Sequence, residues 1–158
     1  LDGISVLNDA VGGITVTLED DFSALDPAMT AGTTLTLVGD QAEYYVRSRM
    51  NIGIGTNEAR MARQEEYLSA LGEKLGARIA EDQAFIEALY EALDPYLTTD
   101  MSRGRMINEV WASREYASET VLELAGEHEV GADGFMQFYV EEGSIEQAVL
   151  QLFYEKVE

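Results

Sequence analysis

Arg47, Arg49, Arg60 and Arg63 fall within the stretch YYVRSRMNIGIGTNEARMARQ, and they are four of only ten basic residues in a chain of formal net charge -20. A guanidinium group is always charged, planar and furnished with paired donors, so it fits phosphate oxygens better than the point charge of lysine. R-S-R followed by R-x-x-R-Q could surround a diphosphate from two sides, with Gln64 adding a neutral donor. A helix beginning between the two motifs would contribute its dipole and its free N–H groups. The same spacing also lets each arginine pair with a carboxylate such as Glu58, Glu65 or Glu66. From spacing alone both readings stay open.

Other chemistries find less support. GIGT, between the two arginine pairs, matches neither GxxxxGK[ST] nor GxGxxG, and no lysine follows it, which removes an NTPase loop. The chain has no cysteine, hence no disulfide, thiolate metal site or thiol nucleophile. His128, the single histidine, sits between Glu127 and Glu129 in an expected turn and reads as incidental rather than as a metal ligand. Phe135, Phe138, Tyr139 and Trp111 read as packing groups rather than a ligand platform. The acidic balance opposes nucleic acid, whose binding depends on neutralising phosphates. No apolar run reaches the length of a membrane span.

The elements that must carry the arginines follow from periodicity. Leu1, Ile4, Val6, Leu7 and Val11 have helical spacing, and Gly12-Gly13 stops that helix. ITVTL and TTLTLVG alternate in period two and read as strands of one sheet, with Leu35 and Leu37 on one face and an acidic surface excursion between them. DQAEYYVRSR then starts a short helix that buries Ala42, Tyr45 and Val46 and leaves Arg47 and Arg49 at or beyond its end. Thr56 or Asn57 caps a long helix from which Arg60, Arg63 and Gln64 project together, above Met61, Tyr67, Leu68 and Leu71. A helix is expected over 81–97, loosened by Pro95, and another after a cap at Asp100 or Ser102. VLELAGE and GFMQFYV are expected as strands around a turn at Gly131–Gly134, followed by a final helix capped by Ser144. The pattern argues for one α/β domain over 1–158, a layered sheet with helices packed on it.

VGGITVTL, LTLVGDQAEYYVRSR and R-M-A-R-Q-E-E-Y-L, in that order, resemble the second half of the catalytic domain of the LytR-CpsA-Psr (LCP) family. The resemblance is closest over 1–75, while DPYLTTDMS and GFMQFYVEEGSIEQAVLQLFY resemble Gram-positive members more loosely. It implies a membrane-anchored, extracytoplasmic cell-envelope phosphotransferase that moves a glycopolymer from a polyprenyl diphosphate lipid to peptidoglycan, assisted by magnesium. It also implies that Arg47, Arg49, Arg60, Arg63 and Gln64 bind the diphosphate. The family's N-terminal half, with its own aspartates and much of the lipid pocket, has no counterpart here, so the magnesium ligands and the membrane anchor are expected outside this chain. Asn57 stands where the family often has an aspartate. Whether this chain acts as an enzyme stays open, and the alternative is a non-catalytic module that binds envelope glycopolymer or lipid phosphate.

Overall fold

In the computed structural model, which describes residues 3–50, 52, 57–116 and 122–154, helix α1 (Gly3–Ala10) ends at the glycine pair. Gly12 and Gly13 donate their N–H groups to Asp9 O and Asn8 O at 3.0 and 2.8 Å, which satisfies the last carbonyls of the helix. Gly13 has φ +80°, and a Cβ there would lie 2.5 Å from Leu37 O. The turn and the close approach to the Leu37 backbone both require glycine at that position.

Strands β1 (Thr15–Thr17) and β2 (Thr34–Thr36) pair antiparallel with Val16 opposite Leu35. Val16 is buried. On the outer face, the hydroxyls of Thr15 and Thr36 and those of Thr17 and Thr34 meet at 2.8 Å, so the register is held by cross-strand pairs as well as by burial. The connection between the strands was expected on the surface. Its acidic residues are largely there, but Phe22 and Met29 are fully buried, and Phe22 N donates to Met29 O at 2.9 Å.

Helix α2 (Asp40–Arg47) buries Ala42, Tyr45 and Val46 as its spacing predicts. Helix α3 (Asn57–Glu81) then supplies Tyr67 and Leu71 to the same core as Ile14, Val16, Leu18, Phe22 and Leu37. Asn8 lies in the middle of that core. It is fully buried, its Nδ2 donates to Leu37 O at 2.7 Å, and its Oδ1 accepts from Ile14 N at 3.0 Å and from the Tyr67 hydroxyl at 3.4 Å. One amide thus ties α1 to the residues flanking both strands and to α3. Burial, with a smaller contribution from Asp9, pushes the Tyr67 phenol up to about 12.

Asp82 separates α3 from α4 (Gln83–Leu93) and caps the latter by accepting from Ala84 N. Pro95 falls in the single 3-10 turn that follows. Helix α5 (Arg103–Ala112) begins at Ser102, whose Oγ accepts from Arg105 N. Ser102→Ala is therefore expected to lower the unfolding free energy by about 1 kcal/mol. A denaturation midpoint unchanged by the substitution would refute the capping role.

Contacts divide the chain into two units, Leu1–Glu115 and Tyr116–Glu158. The second contains β3 (Gly126–Val130), β4 (Met136–Val140) and α6 (Ser144–Phe153). Strands β3 and β4 form a hairpin in which Gly131 N donates to Phe135 O at 2.8 Å and Gly134 takes φ +79°.

The second unit corrects four expectations. The strand expected at VLELAGE starts only at Gly126, because pairing extends outward from the glycine turn and uses the residues next to it. His128 is consequently inside a strand, opposite Phe138, with ring centroids 4.9 Å apart. Phe135, Phe138 and Tyr139 are exposed rather than packed on a strand face. Ser144 is the first residue of α6, not its cap. Gly143 occupies the cap position with φ +85°, and the Ser144 hydroxyl accepts from Ala125 N at 2.8 Å.

The mixed helix and sheet character matches the sequence reading, but among the described residues the sheet consists of two separate two-stranded pieces.

Candidate functional site

Helix α2 stops at Arg47, and Ser48 leaves it in an extended conformation with φ -67° and ψ 139°. Such an end leaves carbonyls without intrahelical partners. Ser48 N satisfies Tyr44 O, and α3 supplies further donors. Arg63 Nε donates to Tyr45 O at 3.0 Å, Arg63 Nη2 to Ser48 O at 2.6 Å, and Gln64 Nε2 to Val46 O at 2.9 Å. A cation at a helix C-terminus is favoured by the dipole as well as by the hydrogen bonds.

Arg63 is 8% exposed, and its Nη1 donates to Asp20 Oδ2 at 2.8 Å. Its guanidinium carbon lies 5.4 Å from the centroid of the Phe22 ring. This corrects the expected phase of α3. Arg63, Tyr67 and Leu71 form the buried stripe at i, i+4 and i+8, while Met61 and Leu68 are 55% and 62% exposed. Hydropathy placed methionine and leucine inside and arginine outside. The carbonyl-rich end of α2 reverses that choice, because a buried guanidinium with a full set of acceptors satisfies groups that an apolar residue would leave unpaired.

The other three arginines have different surroundings. Arg47 pairs with Glu43 one turn back and keeps a half-exposed side chain. Arg49 lies beyond the helix and is exposed, with no ion pair among the described residues. Arg60 Nη2 donates to Asn57 Oδ1 at 2.7 Å, and its Nε is buried without an acceptor among the described residues. Thr56, the alternative cap, and most of the intervening loop lie outside the described residues.

A cleft of about 310 Å³ is lined by Thr17, Glu19, Asp20, Tyr45, Ala59, Ala62, Arg63 and Glu66. Of the four candidate arginines only Arg63 lines it, so the structure does not gather all four guanidinium groups in this cavity. The Tyr45 hydroxyl donates to Glu66 Oε2 at 2.5 Å, and burial followed by that bond raises the phenol well above its ordinary range. Sequence reading missed this pair, whose members lie 21 residues apart on different helices. A second hollow, about 330 Å³ and lined by Tyr90, Glu91, Asp94 and Arg103, holds none of the candidate residues.

Asp21 and Asp26, further along the segment after β1, are engaged away from Arg63. Asp21 accepts from Ser23 N at 2.9 Å and Asp26 from Gln41 Nε2 at 2.7 Å. Hydrogen bonds from Ser23 lower the Asp21 carboxyl, and those from Gln41 and then Ala28 lower Asp26. Among the described residues no group of three or more His, Asp or Glu side chains could hold a metal ion, and no helix is long and apolar enough to cross a membrane.

Three solved structures share the fold. The protein gbs0355 from Streptococcus agalactiae superposes with a TM-score of 0.72 at 23% identity, covering 99% of this chain and 56% of its own. A transcriptional regulator, EF0465, from Enterococcus faecalis gives 0.64 at 21% identity, covering 98% and 57%. Lin1025 from Listeria innocua gives 0.53 at 24% identity, covering 94% and 61%. The chain thus spans between 56% and 61% of the length of these structures. No curated protein sequence matches it. The LytR_cpsA_psr family model matches residues 1–153, almost the whole chain, and the chain belongs to the LytR-CpsA-Psr family.

Proposed function

We propose that this chain is the diphosphate-gripping part of a cell-envelope phosphotransferase that moves a glycopolymer from a polyprenyl diphosphate lipid to peptidoglycan. The family is associated with cell-envelope glycopolymer processing. The observation that carries the reading is the arrangement around the end of α2, where Arg63 and Gln64 hold the backbone while Arg47 and Arg49 stand exposed. Arg60, one turn before Arg63 on α3, has a buried Nε lacking an acceptor among the described residues. A buried donor without a partner is uncommon, and a phosphate oxygen would satisfy it.

In this reading Arg47, Arg49 and Arg60 touch the diphosphate, and Arg63 and Gln64 keep the supporting backbone in place. Their contribution to transfer is orientation and neutralisation of charge on phosphate oxygens. Magnesium, which would further neutralise that charge, is proposed to be held by carboxylates outside the described residues. The parent protein is proposed to act outside the cytoplasm, anchored to the membrane. Although EF0465 is named a transcriptional regulator, a net charge of -20 opposes DNA binding by this chain.

Binding without transfer is the second reading. It needs only the exposed Arg47 and Arg49 and the buried Arg60 Nε, all of which this chain supplies. A transfer assay with labelled lipid-linked saccharide and magnesium, run beside a pyrophosphate-binding titration, separates the two. Arg49→Ala and Arg60→Ala are each expected to weaken pyrophosphate binding by about tenfold or more, the loss of one charge-assisted hydrogen bond. Absence of binding at low salt, or an affinity unmoved by both substitutions, would overturn the site.

A further inference from the structure

We infer that Asp20 is a positioning residue for Arg47 and Arg49, acting through Arg63; the inference rests on the diphosphate reading above. Asp20 follows β1, and its side chain is 13% exposed where it meets Arg63 Nη1. Its neighbours do other things, since Asp21 turns to Ser23 N and Glu19 lies exposed at the cleft. Phe22, two residues on, is fully buried and places its ring beside both the guanidinium and Tyr45, at 5.4 Å and 6.0 Å.

The guanidinium is planar, so fixing one edge fixes the others. With Nη1 on Asp20 and one side against Phe22, Nε is directed at Tyr45 O and Nη2 at Ser48 O. Ser48 O belongs to the peptide group that joins Ser48 to Arg49. Its hydrogen bond therefore sets the plane from which Arg49 leaves, while the bond to Tyr45 O holds the last turn, which ends at Arg47. Without the carboxylate, the guanidinium loses the partner that sets its rotation about the side-chain axis.

Charge and position make opposite predictions here. Removing a negative charge near an anion site tightens anion binding if only Coulomb attraction matters. If Asp20 positions the arginines, the same change weakens binding. Asp20→Asn keeps the shape and one acceptor oxygen, and Glu19→Gln removes an equal charge without touching Arg63.

The experiment titrates the full chain with inorganic pyrophosphate and follows amide hydrogen exchange by mass spectrometry. Asp20→Asn is expected to weaken pyrophosphate binding about fivefold and to speed exchange over residues 47–50 about tenfold, leaving α4 and α5 unchanged. Glu19→Gln is expected to leave exchange unchanged and affinity equal or slightly tighter. Asp20→Glu, which retains the carboxylate, is expected to fall between wild type and Asp20→Asn in both measurements. Equal or tighter binding by Asp20→Asn, or unchanged exchange over 47–50, overturns the inference. A wild-type chain that binds no pyrophosphate overturns the diphosphate reading instead, and exchange over 47–50 still decides whether Asp20 holds that backbone.

Discussion

Arg63→Ala is expected to destabilise the first unit by about 3 to 5 kcal/mol, the cost of breaking a buried ion pair from one side. The truncation leaves Asp20 with its charge and without Arg63, and it leaves Tyr45 O and Ser48 O facing the space where two donors had been. It also removes the cation from beside Phe22. Lysine is not expected to restore the loss, since one ammonium group on a flexible stem cannot reproduce a planar fork directed at three oxygens. The double substitution Arg63→Met with Asp20→Leu removes both charges and is expected to cost less than Arg63→Ala alone. Chemical denaturation, with the slope checked for constancy, measures all of these. A loss below about 1 kcal/mol for Arg63→Ala would place the pair among ordinary surface salt bridges.

Asn8→Ala is the second large effect, expected at about 2 to 4 kcal/mol because several buried polar groups lose their partner together. Leu37 O loses a donor, and Ile14 N and the Tyr67 hydroxyl lose an acceptor, all in a region closed to water. Asn8→Leu is expected to do no better, since the added apolar area satisfies none of those groups. Unfolding midpoints for Asn8→Ala and Tyr67→Phe separate the contributions. Tyr67→Phe deletes only the 3.4 Å bond and is expected to cost less than 1 kcal/mol. Near-equal losses from the two would mean that the network adds little beyond the phenol contact.

These two residues also mark the limits of sequence reading. Period-two and helical patterns identified β1 and α2, whose buried side chains are apolar, and α1 and β2, whose apolar residues Ile4, Leu7 and Leu35 pack part-buried against the same core. Asn8 and Arg63 break that rule. Each faces inward to satisfy backbone groups brought near by other elements, and local periodicity holds no trace of those elements. The RxxRQ spacing was legible, but which arginine faces solvent depends on where α2 ends in space. The hairpin was legible through its glycines, whereas its register was not, since the polar run Gly126–Val130 has no apolar alternation to mark it. The acidic segment after β1 read as solvated charge, and the role of Asp20 became visible only with Arg63 beside it.

The order in which the chain is made gives the position of α3 another consequence. Lys74 Nζ donates to Gly13 O at 2.6 Å across 61 residues, and Tyr67 and Leu71 complete the core around the strands. A ribosome releases β1, β2 and α2 well before those residues leave its exit tunnel. Until then the two-stranded ribbon of β1 and β2, a piece marginal in water by itself, lacks the side chains of α3, and the end of α2 waits for Arg63 and Gln64. The nascent segment consequently spends seconds without the α3 part of its core, while its negative charge helps to keep it apart from its neighbours.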